Sequence, residues 1–170
     1  ATYVEKCGGG LPETADVKFD TDNDHVTLYI GTVTNGQGHD TAYKQIMSDR
    51  LGIDTDNITV VQGDSDMVPM GLTGGSRSVT VGGVAVKQTS DNIVEKGRQI
   101  AAQVLETAAA DIEYVDTTFR VAGTDRSITL FDVARAALDR SNLPPDIDPG
   151  LDEVYTHAPS LPTFPNGCHI

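Results

Sequence analysis

The sequence predicts an α+β fold of two layers, a mixed β-sheet with its helices packed mainly on one face, formed by residues 1–170 as one domain. Three observations carry that expectation. Val26, Leu28 and Ile30 alternate with His25, Thr27 and Tyr29, the period of two of a half-buried strand. Ala42, Tyr43, Ile46, Met47 and Leu51 fall on one helical face, which Gly52 can end. From Val86 through Ser90, Ile93, Gly97, Ile100, Ala101, Val104 and Leu105 to Ala108, residues recur three and four apart, enough for a helix of about seven turns with one buried face.

Taken in order, residues 1–6 alternate weakly as a strand that Cys7 to Gly10 break. Ala15, Val17 and Phe19 put a second strand within 13–19, and the polar run Asp20 to Asp24 turns it back into the strand at 25–30, an antiparallel start. The helix over 40–51 then crosses over to a short strand at Ile58 to Val61, after a turn at Asp54 to Asn57. Beyond the long helix, 112–115, 118–121 and 127–128 read as short strands. Thr129 caps a third helix with Asp132 three residues on, a variant of the capping box, and Val133, Ala134, Ala137 and Leu138 form its apolar face. Three prolines make 143–150 a loop, and 154–165 is extended and proline-punctuated.

Two segments interrupt this pattern between a strand and a helix. Gly31 to Thr41 concentrates glycine around Gln37 and His39, and Val68 to Ser78 does so around Ser76, Arg77 and Ser78. Glycine lets backbone approach a ligand, and the first N–H groups of a helix have no acceptor within it, so each place suits an anion such as phosphate. If the two strands share a sheet with their helices on one side, both loops open at the same edge, where one extended phosphate-bearing ligand can touch both. Ser76 or Ser78 is a natural N-cap for the long helix, and Arg77 brings a positive charge to an otherwise acidic chain. The third glycine of a dinucleotide fingerprint is missing, and no P-loop sequence occurs.

Twelve Lys and Arg against 25 Asp and Glu give a net charge of −13, which disfavours nucleic acid and anionic membranes as partners. No apolar run reaches the length of a membrane span. Cys7 and Cys168 sit in no paired metal or redox spacing, consistent with two reduced thiols in a cytoplasmic protein. His25, His39, His157 and His169 lack helical metal-ligand spacing, and no serine sits in a nucleophile-elbow sequence. The missing initial methionine and the end at Ile170 read as a piece of something longer.

Gly31-Thr32 through Gly36-Gln37-Gly38-His39, then Gln45, Leu51-Gly52-Ile53, Ile58, Val60, Gly63-Asp64, Pro69 and Gly75-Ser76-Arg77-Ser78, in that order and spacing, resemble the molybdenum-cofactor-binding large subunit of the xanthine dehydrogenase, aldehyde oxidase and carbon monoxide dehydrogenase family. Phe164 to His169 resembles a later segment of such subunits, and Ala1 to Glu5 with Glu13 an earlier one. The resemblance covers 1–110 well, with both cofactor loops, and 111–170 more loosely.

It implies that Gln37, Gly38, His39 and Thr41 hold the pterin and phosphate part of a molybdopterin or molybdopterin cytosine dinucleotide cofactor carrying molybdenum. Gly75, Ser76 and Ser78, with Arg77 adjacent, would approach the pterin from the second loop. The intact enzyme would oxidise or hydroxylate a small molecule with oxygen from water, pass electrons to iron–sulfur and FAD subunits or domains, and be completed by the rest of the large subunit. The family's catalytic glutamate, in a glycine-glutamate-proline setting, has no counterpart here, so this chain alone is expected to be inactive. The residues themselves leave a second reading open, a non-enzymatic domain that binds a nucleotide or organic phosphate or serves as an interaction module.

Overall fold

The computed structural model describes residues 1–8, 10–68 and 71–170; Gly9, Pro69 and Met70, which the sequence reading placed in the first break and the second loop, lie outside the described residues. Its centre is a four-stranded mixed sheet in the order β4-β3-β2-β8, formed by β2 (Glu13–Asp20), β3 (His25–Ile30), β4 (Ile58–Val61) and β8 (Glu153–His157). β2 pairs antiparallel with β3 and with β8, and β3 runs parallel to β4. The register places Val17 opposite Leu28 and Ala15 opposite Ile30, so the predicted alternation delivers one apolar face. Those four side chains and Val26 are fully buried.

Two helices cover that face. α1 (His39–Leu51) contributes buried Tyr43, Met47 and Leu51, and Gly52 ends it in the left-handed conformation, as its position predicts. α2 (Val84–Val104) packs Val86, Ile93, Ile100 and Ala101 against α1, β2 and β8. It follows directly on a π-helical turn over Ser78–Gly83, and it stops before Ala108 because Glu106 takes a positive φ of 49°. Close approach selects glycine at Gly97, where a Cβ would lie 2.5 Å from the ring of buried Phe119.

The later strands do not join the central sheet in sequence. β5 (Ile112–Val115), β6 (Thr118–Val121) and β7 (Ser127–Thr129) form their own antiparallel meander. It leads into α3 (Leu130–Ala136), where the Thr129 hydroxyl accepts from Asp132 N–H at 3.1 Å, the predicted cap. β8 then returns to the edge of the central sheet, and β9 (Asn166–Cys168) pairs antiparallel with β1 (Thr2–Val4) to bring the two ends of the chain together. Among the described residues no helix is long and apolar enough to cross a membrane.

Candidate functional site

The parallel pairing of β3 with β4 decides where the two glycine-rich loops go. Both leave the carboxyl ends of neighbouring parallel strands, the place where open sheets bind ligands. The loop after β3 enters α1 through Gly38 in the left-handed conformation, and the loop after β4 enters the π-helical turn at Ser78. The loops cross with backbone against backbone, since a Cβ on Gly71 would lie 2.3 Å from the Gly31 carbonyl carbon. Beside the crossing opens a cleft of about 370 Å³ lined by Gln37, Thr73, Gly74, Ser76, Arg77, Ser78 and Val79. Of the residues predicted from sequence, Gln37, Ser76, Arg77 and Ser78 thus come together. Gly38 and Gly75, both at positive φ, shape the two loops beside it.

Two side chains behave otherwise than their sequence context suggests. Ser76 does not cap the long helix. Its φ of 51° lies outside the extended backbone that a capping residue needs, and its hydroxyl donates to Glu5 instead. No side-chain hydrogen bond caps the start of the π-helical turn, of α2 or of α1. Arg77 does not offer its charge to the cleft. Its guanidinium is buried, ion-paired to Glu13 at 2.8 Å, and donates further to the carbonyls of Leu11, Pro12 and Leu72. Its charge partner therefore lies within this chain. Thr41 stands exposed on the first turn of α1, outside the cleft lining.

His39 is buried at 2% exposure, tucked beneath the loop against Tyr43. The Gln62 amide donates to the Thr32 carbonyl and lies 3.2 Å from His39 Nδ1. Nδ1 then accepts, so Nε2 carries the proton, and that buried donor has no acceptor among the described residues. Burial favours the neutral ring and holds its pKa below the ordinary imidazole value, against the opposing pull of the Glu13 charge. Tyr43 closes the network beneath both loops. Its hydroxyl meets Thr32 Oγ1 at 2.8 Å and donates to the Ser78 carbonyl at 2.9 Å, and burial pushes its pKa up.

Gln37 is anchored at one end only. Its Oε1 accepts from Asn35 N–H and from the Thr34 hydroxyl, and its Nε2 makes no hydrogen bond among the described residues. The cleft lining carries no carboxylate in a chain of net charge −13. Asp40, in the first turn of α1, is paired with Lys44 at 3.2 Å. The lining offers the Ser78 hydroxyl, one free amide and the uncapped start of the π-helical turn, with the uncapped start of α1 just beyond Gln37, as donors for an anionic, edge-polar ligand.

Sequence reasoning missed Thr73, Val79, Thr32, Tyr43 and Gln62. Thr73 and Val79 sit in or beside a segment already singled out, whereas Tyr43 reads simply as an apolar helix position and Gln62 as a residue past a strand end. Among the described residues no group of His, Cys, Asp or Glu could hold a metal ion.

Comparison with known proteins fits this geometry. Residues 1–170 match the molybdopterin cofactor-binding domain family. The chain is 34% identical to the carbon monoxide dehydrogenase large chain of Hydrogenophaga pseudoflava, over 99% of this chain and 22% of that protein. It is 36% identical to the 6-hydroxypseudooxynicotine dehydrogenase complex subunit gamma of Paenarthrobacter nicotinovorans, over 89% of this chain and 19% of that protein. The solved structure of reconstituted CO dehydrogenase from Oligotropha carboxidovorans superposes with a TM-score of 0.89 at 32% identity, covering 98% of this chain and 22% of that one. The chain therefore spans about a fifth of the length of the curated relatives it matches. The family match spans residues 1–170. It also removes the ground for reading the chain as an unrelated phosphate-binding or interaction module. With two crossed loops, two uncapped helix starts and a family match from end to end, the chain belongs to the molybdopterin cofactor-binding domain family.

Proposed function

We propose that the cleft beside the loop crossing receives the pterin and phosphate part of a molybdopterin cofactor, and that the complete protein is a molybdenum hydroxylase acting on a small molecule. The observation that carries this reading is a cleft lined by Gln37 of the first loop and by the second loop through the uncapped start of the π-helical turn, with no carboxylate side chain in its lining although the chain is strongly acidic. Elsewhere three of the four short helices are capped by side chains, through Asp54, Thr129 and Asp139, while the turn Ala109–Asp111 is not.

The residues present fit such a group. First-turn N–H groups of α1, from His39 to Thr41, and those at Ser78 and Val79 would bind phosphate oxygens. The free amide of Gln37 and the Ser78 hydroxyl would donate to a pterin edge, and the Ser76 oxygen, its proton held by Glu5, would accept from it. The Nε2–H of His39, outside the cleft lining and without an acceptor among the described residues, would be a further donor to a ligand that reaches beneath the first loop. Gly38 and Gly75 allow the backbone to come close, and Arg77 takes part by holding its own loop. When bound, the group supplies the redox centre; the residues of this chain bind it, orient it and keep it from water. Two anion-ready helix starts favour a ligand with more than one phosphate, and so a dinucleotide form, for which the resemblance gives cytosine as the base. We also assign the rest of the large subunit, together with iron–sulfur and FAD partners, to the complete assembly, and place it in the cytoplasm on the strength of its two unpaired thiols.

Gln37→Ala in the complete protein tests this. Molybdenum and pterin per protein should fall several-fold while the thermal midpoint scarcely moves, because a loop amide contributes little to a core. A Gln37→Ala protein that keeps its full molybdenum would overturn the reading.

A further inference from the structure

The cleft depends on two loops that share no strand pairing of their own, so something must set how far one slides past the other. The crossing itself offers no side chains, since it is Gly71 against Gly31. The groups on either side of it are gripped by one buried ion pair. Glu13, the first residue of β2, accepts the Gly31 N–H on Oε1 at 3.1 Å and the Arg77 guanidinium on Oε2 at 2.8 Å. Arg77 Nη1 also donates to the carbonyl of Leu72, the residue after Gly71, while Nη2 donates to Leu11 and Pro12 at 2.9 Å each. Glu13 and Arg77 are each 2% exposed.

We propose that the Glu13–Arg77 pair is the positioning unit of the site: it fixes the loop 31–38 against the loop 71–78, with Arg77 acting through the loops and making no ligand contact of its own. The proposal rests on the cofactor reading for its purpose and on the contacts above for its mechanism. A buried pair of this kind is a poor source of stability, because desolvation offsets its attraction, yet its planar fork accepts only one arrangement of partners. One end of the pair holds the N–H where the first loop begins, and the other holds the carbonyl just past the crossing in the second. Locking Arg77 also locks Ser76 and Ser78, its neighbours in the cleft lining.

Glu13→Gln keeps an oxygen for Gly31 N–H and loses the charge; Arg77→Lys keeps the charge and loses the fork. Both are made in the complete protein, purified from cells unable to make the cofactor, and amide exchange is followed. In either variant the hydrogen-bonded amides that report on the loops, Gly31 and Val33 for the first and Gly8 and Val81, which donate to the Gly75 and Arg77 carbonyls, for the second, should exchange faster together, roughly tenfold, while the β2–β3 ladder and α2 keep their protection. Acceleration confined to one loop, spread evenly over the chain, or absent would overturn the proposal. Arg77→Lys, which leaves no uncompensated charge, carries the test if Glu13→Gln does not fold.

In protein from cofactor-producing cells, both single variants and the double should lose molybdenum to the same extent, because each removes the same unit. If Arg77→Lys loses molybdenum while Glu13→Gln keeps or gains it, Arg77 is an anion ligand released by its partner and the proposal is wrong. Pterin missing from the unsubstituted protein would overturn the cofactor reading alone, and the exchange measurement would still decide the clamp.

Discussion

Thr73 pairs with both main-chain groups of Val33: its hydroxyl accepts from the Val33 N–H at 2.7 Å and donates to the Val33 carbonyl at 2.8 Å. One side chain of the second loop thus stands in for the strand that the first loop lacks. Val33 is 41% exposed, so water can replace both bonds when Thr73 is changed to valine. Thr73→Val should therefore cost no more than about 1 kcal/mol of global stability, while protection of the Val33 amide against exchange drops. Urea unfolding and amide exchange read the two effects separately. Undiminished protection at Val33 would show that the pairing does not hold the loop.

Tyr43 makes the corresponding tie beneath the loops, where its Thr32 end is buried and its Ser78 end half-buried. Tyr43→Phe leaves the buried Thr32 hydroxyl without its partner and takes one of two hydrogen bonds from the half-buried Ser78 carbonyl. Unsatisfied buried groups cost about 1–3 kcal/mol each way they are stranded, so this change should destabilise more than Thr73→Val although it removes a single oxygen. The urea midpoint should fall with an unchanged slope. A loss equal to or smaller than that of Thr73→Val would mean that the tyrosine hydroxyl ties the loops no better than an exposed threonine.

The contrast between these two residues shows what the sequence reveals and what it hides. The strands at 25–30 and 58–61, the helix from 40 to 51 and its glycine stop announce themselves because period and punctuation are local properties. The two loops announce themselves for the same reason, as glycine clusters between unlike periods. That they meet follows only once β3 and β4 are known to be parallel neighbours, a long-range fact that pattern suggests and does not prove. Arg77 marks the limit. In sequence, a lone cation between serines looks like an anion receptor; its use is decided by Glu13, 64 residues away. Tyr43 and Gln62 stay hidden because a buried hydroxyl and a strand-end amide carry no local signature.

Gly97 gives a prediction whose sign differs from the usual rule. In a solvated helix, glycine to alanine gains about 1 kcal/mol from propensity. At Gly97 the added methyl would sit 2.5 Å from Cζ of Phe119, a fully buried ring packed against Tyr114 at 4.5 Å between centroids. The ring has nowhere to move, so Gly97→Ala should destabilise by about 1–3 kcal/mol through overpacking. Pairing it with Phe119→Leu, which clears the space, should recover part of the loss. A Gly97→Ala protein at least as stable as the parent would mean that α2 and the meander are less tightly packed than this.

His39 makes stability depend on pH within a window that carboxylates do not share. Its ring is held below the ordinary value of 6.5, chiefly by burial, so the unfolded chain takes up the proton first as pH falls. Above about 6.5 both states are neutral and the group contributes nothing. Below it the unfolded state binds more protons than the folded one, and stability declines by up to about 1.4 kcal/mol per pH unit until the folded ring also titrates. Asp132, held low by the Thr129 hydroxyl and by Arg135, keeps its charge until far more acid solution, so its loss falls outside this range. His39→Asn, which retains an oxygen for the Gln62 amide, should flatten the decline between pH 7 and the onset of carboxylate titration, by urea midpoints taken through that interval. An equal slope in parent and variant would show that the imidazole titrates alike folded and unfolded, and that burial beneath the first loop does not hold the ring neutral.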